Sequence, residues 1–261
     1  MSILDIENGR IFYETFGTNG EWVTIIAGHM RPSSDFRSLA RFLVANNFRV
    51  LLFDNRGAGR TETPLTFSFE DMTQDIGKLW SCLNISQSHV VGFSMGGIIA
   101  QNFAQTNIKE TKTLTLVSTC LPSSLKTLDA SPWPAEQDLL VERLAKYVAK
   151  DFFQKNKIIF NAMAKQIALD IKTNGFNSKA EAQRNALRLA QKINLQPLTS
   201  LPITIIHGEF DAILSPAEAL ALHQCYKTST YHMMNKAGHL LILENPRETY
   251  ALIKSGLDRK L

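Results

Sequence analysis

The sequence predicts an α/β fold in which a mostly parallel sheet is covered on both faces by helices. Short apolar runs rich in β-branched residues alternate with longer helical patterns along the 261-residue chain. Most of these runs are apolar at nearly every position, as expected for parallel strands that are buried on both faces. Regular alternation of strands and helices indicates a parallel sheet with helices packed on each side.

The strands and helices of this sheet can be placed in chain order. The first strand-like run, residues 9–17, alternates in polarity and is typical of an antiparallel strand or hairpin. Six further strands are predicted at residues 22–28, 49–54, 88–93, 113–118, 202–208 and 229–234. Helical patterns lie between or after them at residues 34–47, 69–84, 95–107, 215–226 and 245–257.

Residues 121–196 interrupt this alternation, because they contain no strand-like run. The segment opens with the breaker clusters LPSS and SPWP, and helical patterns follow at roughly 136–150, 151–173 and 179–194. We therefore expect a core domain of residues 1–120 and 197–261 and a helical lid, residues 121–196, inserted between two strands. A lid at the carboxyl edge of the sheet would cover any site at that edge.

The composition is that of an ordinary globular protein, with 44% hydrophobic and 20% charged residues. A net charge of +4 is too small to indicate a nucleic-acid partner. The three cysteines show no metal-ligand or paired spacing, which favours reduced thiols. The first residues lack the pattern of a signal peptide, and no apolar run is long enough to span a bilayer. We therefore expect a cytoplasmic protein.

A serine between glycines marks the most informative motif, VVGFSMGG, at residues 90–97. Ser94 lies where a predicted strand turns directly into a predicted helix, with Gly92 and Gly96 two residues away on either side. Such a turn strains the backbone of its central residue, and glycines remove the Cβ atoms that would collide around it. The pattern G-x-S-x-G predicts a nucleophile elbow that exposes the Ser94 hydroxyl.

A serine hydroxyl needs a base, and the base needs an orienting acid. Asp211 follows the predicted strand that ends at His207–Gly208, and His239 follows the strand that ends near Met234. Both therefore fall at the edge of the sheet where Ser94 lies. The chain order Ser, Asp, His is that of the α/β-hydrolases rather than of the chymotrypsin or subtilisin proteases.

With these motifs, the chain resembles the α/β-hydrolase superfamily over essentially its full length. The resemblance rests on AGHMRPSSDF (27–36), FDNRGAGRT (53–61), GFSMGG (92–97), and the pair HGEFD and AGHLLILENP. It implies that Ser94 is the nucleophile, His239 the general base and acid, and Asp211 the carboxylate that orients His239. The family pattern G-x-x-D selects Asp211 over Glu209.

The same resemblance implies an oxyanion hole made by the backbone N–H groups of Met95 and His29. Relatives usually have His-Gly at the end of the preceding strand, whereas this chain has Ala27 and Gly28. A histidine that braces the loop is therefore missing, and the His29 side chain is left facing the pocket. We expect His29, Met30 and Met95 to contact the substrate.

These features predict a serine hydrolase that cleaves a carboxylic ester, thioester or lactone through an acyl-enzyme, without a metal ion or an organic cofactor. The chain is most similar to small esterases, enol-lactonases and acyl-carrier methyl-ester hydrolases. Two alternatives stay open at this stage. The same triad could support carbon–carbon bond hydrolysis or cofactor-free peroxidase chemistry, or the chain could be a non-enzymatic protein that binds a small molecule.

The lid segment carries most of the positive charge. Residues 121–196 contain 12 Lys and Arg against seven Asp and Glu, an excess of five positive charges, whereas the whole chain has a net charge of +4. Solvated helix faces account for such charges in most proteins. The alternative is attraction of an anionic acyl donor, such as an acyl-carrier protein or a coenzyme A thioester.

Overall fold

The structure is a computed structural model that describes residues 2–125, 131–190, 196 and 198–260. Its strands are β1 (Ser2–Ile6), β2 (Gly9–Phe16), β3 (Glu21–Ile26), β4 (Phe48–Phe53), β5 (Ser88–Phe93), β6 (Thr111–Val117), β7 (Ile203–Gly208) and β8 (Ser229–Met234). They form one sheet in the order β1-β2-β4-β3-β5-β6-β7-β8. The pairs β1–β2 and β2–β4 are antiparallel and the other five are parallel, which confirms the predicted fold class.

Helices cover both faces of this sheet. Those of the core are α1 (Arg37–Ala45), α2 (Phe69–Cys82), α3 (Met95–Thr106), α8 (Pro216–Cys225), α9 (Leu241–Glu244) and α10 (Pro246–Leu257). On one face α2, α3 and α8 bury residues such as Leu79, Ile99 and Leu222. On the other face α1 and α10 bury Leu43 and Ile253. The two apolar layers explain why the central strands carry apolar residues on both sides.

Between β6 and β7, the described residues form four α-helices, which we call the inserted helices: α4 (Gln137–Ala145), α5 (Lys150–Lys155), α6 (Lys157–Thr173) and α7 (Phe176–Ala190). They have an apolar cluster of their own around Leu140, Leu144 and Phe160. Core residues Met30 and Leu240 pack against this cluster. The inserted helices therefore lie over the edge of the sheet where both loops emerge.

The observed elements differ from the predicted ones in several places, and the helix predicted at roughly 136–150 ends at Ala145 in the structure. Strand β1 was not predicted, because it is an edge strand that is largely exposed and shows no apolar run. The predicted helix 151–173 is two helices, since the Asn156 side chain donates to the Phe152 carbonyl at 2.8 Å and ends α5. The end of the helix predicted at 179–194 and the predicted lid boundary near 196 adjoin or include residues outside those described, so the domain boundaries stay a prediction.

The three cysteines are unpaired, and Cys120 is fully buried. Burial raises the pKa of the Cys120 thiol to about 12, so this group lacks the thiolate character of a nucleophile. Across the described ranges, no helix is both long and apolar enough to cross a membrane. Within the same ranges, no group of three His, Cys, Asp or Glu side chains is placed to hold a metal ion.

Candidate active site

Ser94 lies between the last residue of β5 and the first residue of α3, with a positive φ of 51°. Such a backbone conformation is strained for a residue with a side chain, and it points the hydroxyl away from the turn. The glycines around Ser94 are required by close packing. A Cβ on Gly96 would lie 2.2 Å from the Ile26 carbonyl oxygen, and one on Gly92 would lie 2.4 Å from the Gly96 carbonyl oxygen. The local sequence therefore forms the predicted elbow.

His239 connects Ser94 to Asp211. The Nε2 atom of His239 lies 3.0 Å from Ser94 Oγ, and its Nδ1 atom lies 2.7 Å from Asp211 Oδ2. His239 and Asp211 are 6% and 5% exposed, so water competes little for these hydrogen bonds. The carboxylate accepts a hydrogen bond from Nδ1–H, which leaves Nε2 as an acceptor for the Ser94 hydroxyl. The structure thus brings together the three side chains that the sequence placed at one edge of the sheet.

The environment of Asp211 favours its ionised form. Burial by itself raises the pKa of Asp211, but charge and hydrogen bonding from His239, the neighbouring His207 and the backbone outweigh burial and hold it below its usual value. Its Oδ1 atom accepts the N–H groups of Ile213 and Leu214, both at 2.9 Å. A carboxylate with these donors stays ionised at neutral pH and can stabilise a protonated imidazole.

The loop that carries His239 is held from two sides. The Glu244 carboxylate accepts the N–H of Gly238 at 3.0 Å and the N–H of Ala149 at 2.7 Å. The carbonyl oxygen of Tyr147 accepts the N–H groups of His239 at 2.9 Å and Leu240 at 3.0 Å. Since Tyr147 and Ala149 precede α5, the inserted helices and the core together fix the position of the imidazole.

The two predicted oxyanion donors are the backbone N–H groups of Met95, which follows Ser94 in the chain, and of His29. Met95 is the first residue of α3, where N–H groups lack intrahelical partners. His29 follows β3, and no acceptor among the described residues is bonded to its backbone N–H. Gly28, the residue before His29, packs against the nucleophile, since a Cβ there would lie 3.2 Å from Ser94 Cβ. The two predicted backbone donors therefore remain candidates for an oxyanion hole.

The structure shows where the side chains of His29, Met30 and Met95 lie, and their contacts with a substrate stay a prediction. The His29 ring does not point freely into a pocket, because its Nε2 atom donates to the Ala180 carbonyl of α7 at 3.1 Å. The Met95 side chain is 2% exposed and belongs to the core beneath the sheet edge, so only its backbone can reach the site. Met30 is partly buried against the inserted helices, with its backbone at a φ of 57°.

The packing of His29 predicts a pH-dependent contribution to stability. Burial lowers the pKa of His29 to about 4, and the nearby Arg184 and Arg143 act in the same direction. The folded chain then binds fewer protons at His29 than the unfolded chain between the unfolded pKa of about 6.5 and the folded pKa, so stability falls as the pH is lowered through this window.

His29→Gln removes the titrating group while keeping an amide that can donate to Ala180. We expect the melting temperature of this variant to fall less than that of the wild type between about pH 7 and about pH 5. Thermal unfolding at both pH values measures the difference. Equal decreases in the two proteins would contradict the assignment of this pH dependence to His29.

Several residues that shape the site were not singled out by the sequence analysis. Asn55 donates to the Ala27 carbonyl at 2.9 Å, and Gln183 accepts the Met30 N–H at 2.8 Å. Asn55 and Glu244 lie inside two of the motif blocks, so those blocks could have pointed to them. Gln183 and Tyr147 lie in the inserted segment, where nothing in the local pattern distinguishes them from other helix residues.

Comparison with known proteins places this geometry in a family. The model of the alpha/beta hydrolase fold family matches residues 25–246, and the chain therefore belongs to this family. A solved alpha/beta hydrolase enzyme from a Medee basin deep-sea metagenome library superimposes with a TM-score of 0.85 at 19% identity. The match covers 100% of this chain and 98% of that one.

Curated relatives in the family differ in the activities that their names give. The chain is 22% identical to a proline iminopeptidase from Heyndrickxia coagulans, over 96% of each chain. It is also 22% identical to 3-oxoadipate enol-lactonase 1 from Acinetobacter baylyi, over 83% of this chain and 80% of the relative. The comparisons thus establish an alpha/beta hydrolase, and they leave the bond that it cleaves to be argued from the site.

Proposed function

We propose that this chain is a serine hydrolase that cleaves a carboxylic ester, thioester or lactone through a covalent acyl-enzyme. The observation that carries the proposal is the continuous hydrogen-bonded series Ser94–His239–Asp211, with separations of 3.0 and 2.7 Å. The strained backbone of Ser94 adds support, because strain of this kind persists where the surrounding structure enforces an exposed nucleophile. Membership of the alpha/beta hydrolase family is consistent with it.

In the acylation step, Ser94 Oγ attacks the acyl carbon while His239 Nε2 takes the hydroxyl proton. The carbonyl oxygen of the substrate becomes an oxyanion, which the N–H groups of His29 and Met95 stabilise. When the tetrahedral intermediate collapses, His239 gives the proton to the leaving oxygen or sulfur. The acyl group remains on Ser94, and Asp211 stabilises the imidazolium during both transfers.

In the deacylation step, a water molecule takes the place of the leaving group. His239 accepts one water proton as the oxygen bonds to the acyl carbon, and the same two N–H groups stabilise the second oxyanion. Collapse of this intermediate breaks the bond to Ser94, and the proton returns to Ser94 Oγ. The products are a carboxylic acid and the free enzyme. For a lactone, acid and alcohol remain in one molecule.

The surroundings of His239 favour an apolar acyl group. The Tyr147 ring lies against His239, with ring centroids 5.9 Å apart, and the Trp133 ring stacks on Tyr147 at 6.2 Å. Leu240 and Met30 extend this surface toward the apolar cluster of the inserted helices. Most of the apolar side chains of that cluster pack against one another. We therefore assign the wall of the acyl site to the residues that lie nearest the sheet, which are Tyr147, Leu240 and Met30. In this arrangement the inserted helices act as the lid.

A panel of substrates tests the proposal and names the class of bond. It contains nitrophenyl esters of increasing acyl length, an enol-lactone, a carrier-protein methyl ester, a vinylogous diketone and a prolyl anilide. We expect turnover of an ester, thioester or lactone by the wild type and only the background rate with Ser94→Ala. A serine-reactive fluorophosphonate should label the wild type and not this variant.

Each other outcome of the panel has a defined meaning. Turnover of the diketone or the anilide alone would replace ester hydrolysis by carbon–carbon or amide cleavage on the same residues. Formation of a peracid from a carboxylic acid and added hydrogen peroxide would assign the peroxidase alternative. Absence of both turnover and fluorophosphonate labelling would contradict an enzymatic role and support small-molecule binding.

We further propose that an anionic acyl donor is attracted by the inserted helices. The exposed lysines of these helices and of the turn after α4 form no ion pair with any residue in the described part of the chain; they are Lys146, Lys150, Lys155, Lys157, Lys165 and Lys172. A positive surface of this kind raises the association rate of anionic substrates, and salt screens it. In the same panel, added salt should therefore slow the carrier-protein ester more than a neutral ester. If salt slowed the turnover of both esters equally, the proposed attraction of an anionic acyl donor would be contradicted.

A further inference from the structure

The loop that presents His29 is held at several points, and two of them come from α7. We define the oxyanion loop as residues 27–31. From the core, Asn55 Nδ2 donates to the Ala27 carbonyl at 2.9 Å. From α7, the Ala180 carbonyl accepts the His29 ring N–H at 3.1 Å, and Gln183 Oε1 accepts the Met30 N–H at 2.8 Å. Helix α7 thus binds the loop both at the His29 side chain and at the backbone N–H of the next residue.

The Gln183 side chain connects two core loops through specific hydrogen bonds. Its side chain is fully buried, and its Nε2 atom donates to the Arg56 carbonyl at 2.7 Å. One amide therefore joins α7 to the oxyanion loop and to the loop after β4. Gly57, with a φ of 75°, allows this approach, since a Cβ there would lie 3.4 Å from Gln183 Cγ and 3.3 Å from the Lys179 carbonyl oxygen.

The hydrogen bond from Met30 to Gln183 is made at a residue whose backbone conformation is strained. Met30 has a φ of 57°, in the left-handed region that residues with side chains rarely adopt. Such a conformation persists only where surrounding contacts enforce it. The hydrogen bond to Gln183 fixes the orientation of the peptide between His29 and Met30. The His29 N–H, which is the group assigned to the oxyanion, belongs to the preceding peptide. Holding the His29–Met30 peptide limits rotation about the His29 backbone bonds and so restrains the direction of that N–H.

We propose that Gln183 is a positioning residue for the oxyanion hole, and that it supplies from the inserted helices the support that Ala27 cannot provide. The inference rests on the proposed function and extends it, because it makes the inserted helices part of the catalytic geometry. An oxyanion donor acts mainly in the transition state, so a displaced His29 N–H lowers kcat more than it raises KM.

The test compares Gln183→Met with Gln154→Met. The first variant keeps the length of the side chain and removes both hydrogen bonds, whereas Gln154 is exposed on α5 and serves as the matched control. We expect Gln183→Met to lower kcat about 10- to 100-fold with little change in KM, less than the roughly 10²- to 10³-fold loss when an oxyanion donor is removed outright. The control should keep the wild-type kcat.

A trifluoromethyl ketone with the acyl group of the best substrate provides a second readout. Its adduct with Ser94 carries an oxyanion, so its inhibition constant should rise by the same factor as kcat/KM falls. A purely structural role would lower the melting temperature and the active fraction without this match. If Gln183→Met does not fold, Gln183→Asn can be used instead. Its side chain is shorter by one methylene, so the amide stays in the site but is too far away to make both hydrogen bonds. This variant should change kcat/KM and the inhibition constant of the ketone in the same way.

Two outcomes separate this inference from the proposed function. Folded variants of Gln183 with wild-type kcat and wild-type inhibition by the ketone would overturn the positioning role and leave the serine hydrolase intact. Turnover that persists in Ser94→Ala would instead overturn the proposed function itself, whatever the behaviour of Gln183.

Discussion

Asp211→Asn is expected to lower kcat for the hydrolysed substrate about 10⁴-fold while the chain stays folded. An asparagine keeps the size of the side chain and can still accept the N–H groups of Ile213 and Leu214 at one oxygen. It presents an amide N–H donor to His239 Nδ1, at the place where the carboxylate accepts a hydrogen bond from Nδ1–H. His239 then carries its proton on Nε2 and can no longer accept one from Ser94. Steady-state kinetics and thermal unfolding together measure the effect.

The matched control for this variant is Glu209→Gln, which changes the other carboxylate of the same loop. Glu209 accepts the Lys236 N–H at 2.8 Å on the surface and does not contact His239 in the described structure. We expect its kcat to remain within about twofold of the wild type, because its hydrogen bond to a surface backbone N–H does not reach the reacting side chains. Equal losses in the two variants, or a larger loss at Glu209, would contradict the role given to Asp211.

Gly96→Ala is expected to destabilise the folded chain by about 3 kcal/mol or more. The added Cβ would lie 2.2 Å from the Ile26 carbonyl oxygen and 2.6 Å from the Ala27 carbonyl oxygen. Both atoms are backbone at the end of β3, in the centre of the sheet, so neither can move without disturbing strand pairing. For a chain of this length the melting temperature should fall by roughly 6–12 °C.

Gly77→Ala supplies the opposite case on α2. Among the described residues outside the backbone of α2 itself, nothing lies within 4 Å of a Cβ at Gly77, and the residue lies in the interior of the helix. The substitution should stabilise the chain by roughly 0.5–1 kcal/mol, because alanine restricts the unfolded state and fits the helix. Thermal or urea unfolding of both variants checks the pair. If Gly96→Ala and Gly77→Ala changed the free energy of unfolding by similar amounts, the close contacts at Gly96 would not be what constrains the elbow.

Much of the fold could be predicted because its signals are local. Buried parallel strands require apolar residues at consecutive positions, and helices require apolar residues at every third or fourth position. Strand β1 escaped prediction because an exposed edge strand needs neither pattern. The break between α5 and α6 at Asn156 was not predicted, because one side-chain hydrogen bond ends α5 without changing the helical periodicity of the flanking residues.

The proximity of Ser94, Asp211 and His239 could be predicted for a topological reason. Each residue follows a strand, the strands are parallel, and the carboxyl ends of parallel strands meet at one edge of the sheet. The supports of the site could not be predicted in this way. The contacts of Glu244 with Ala149 and of Gln183 with Met30 join segments that are far apart in the chain.

The sequence by itself therefore determined the sheet, the elbow at Ser94 and the edge where the three side chains gather. These features depend on the conformational freedom of glycine and on the periodicity of apolar residues, both of which are visible in a short stretch of chain. Only the tertiary structure decided that the His29 ring binds the Ala180 carbonyl and that Gln183 holds the oxyanion loop. Such contacts depend on how α7 packs over the sheet, and no local pattern records the distance between a buried amide and a backbone N–H more than one hundred residues away.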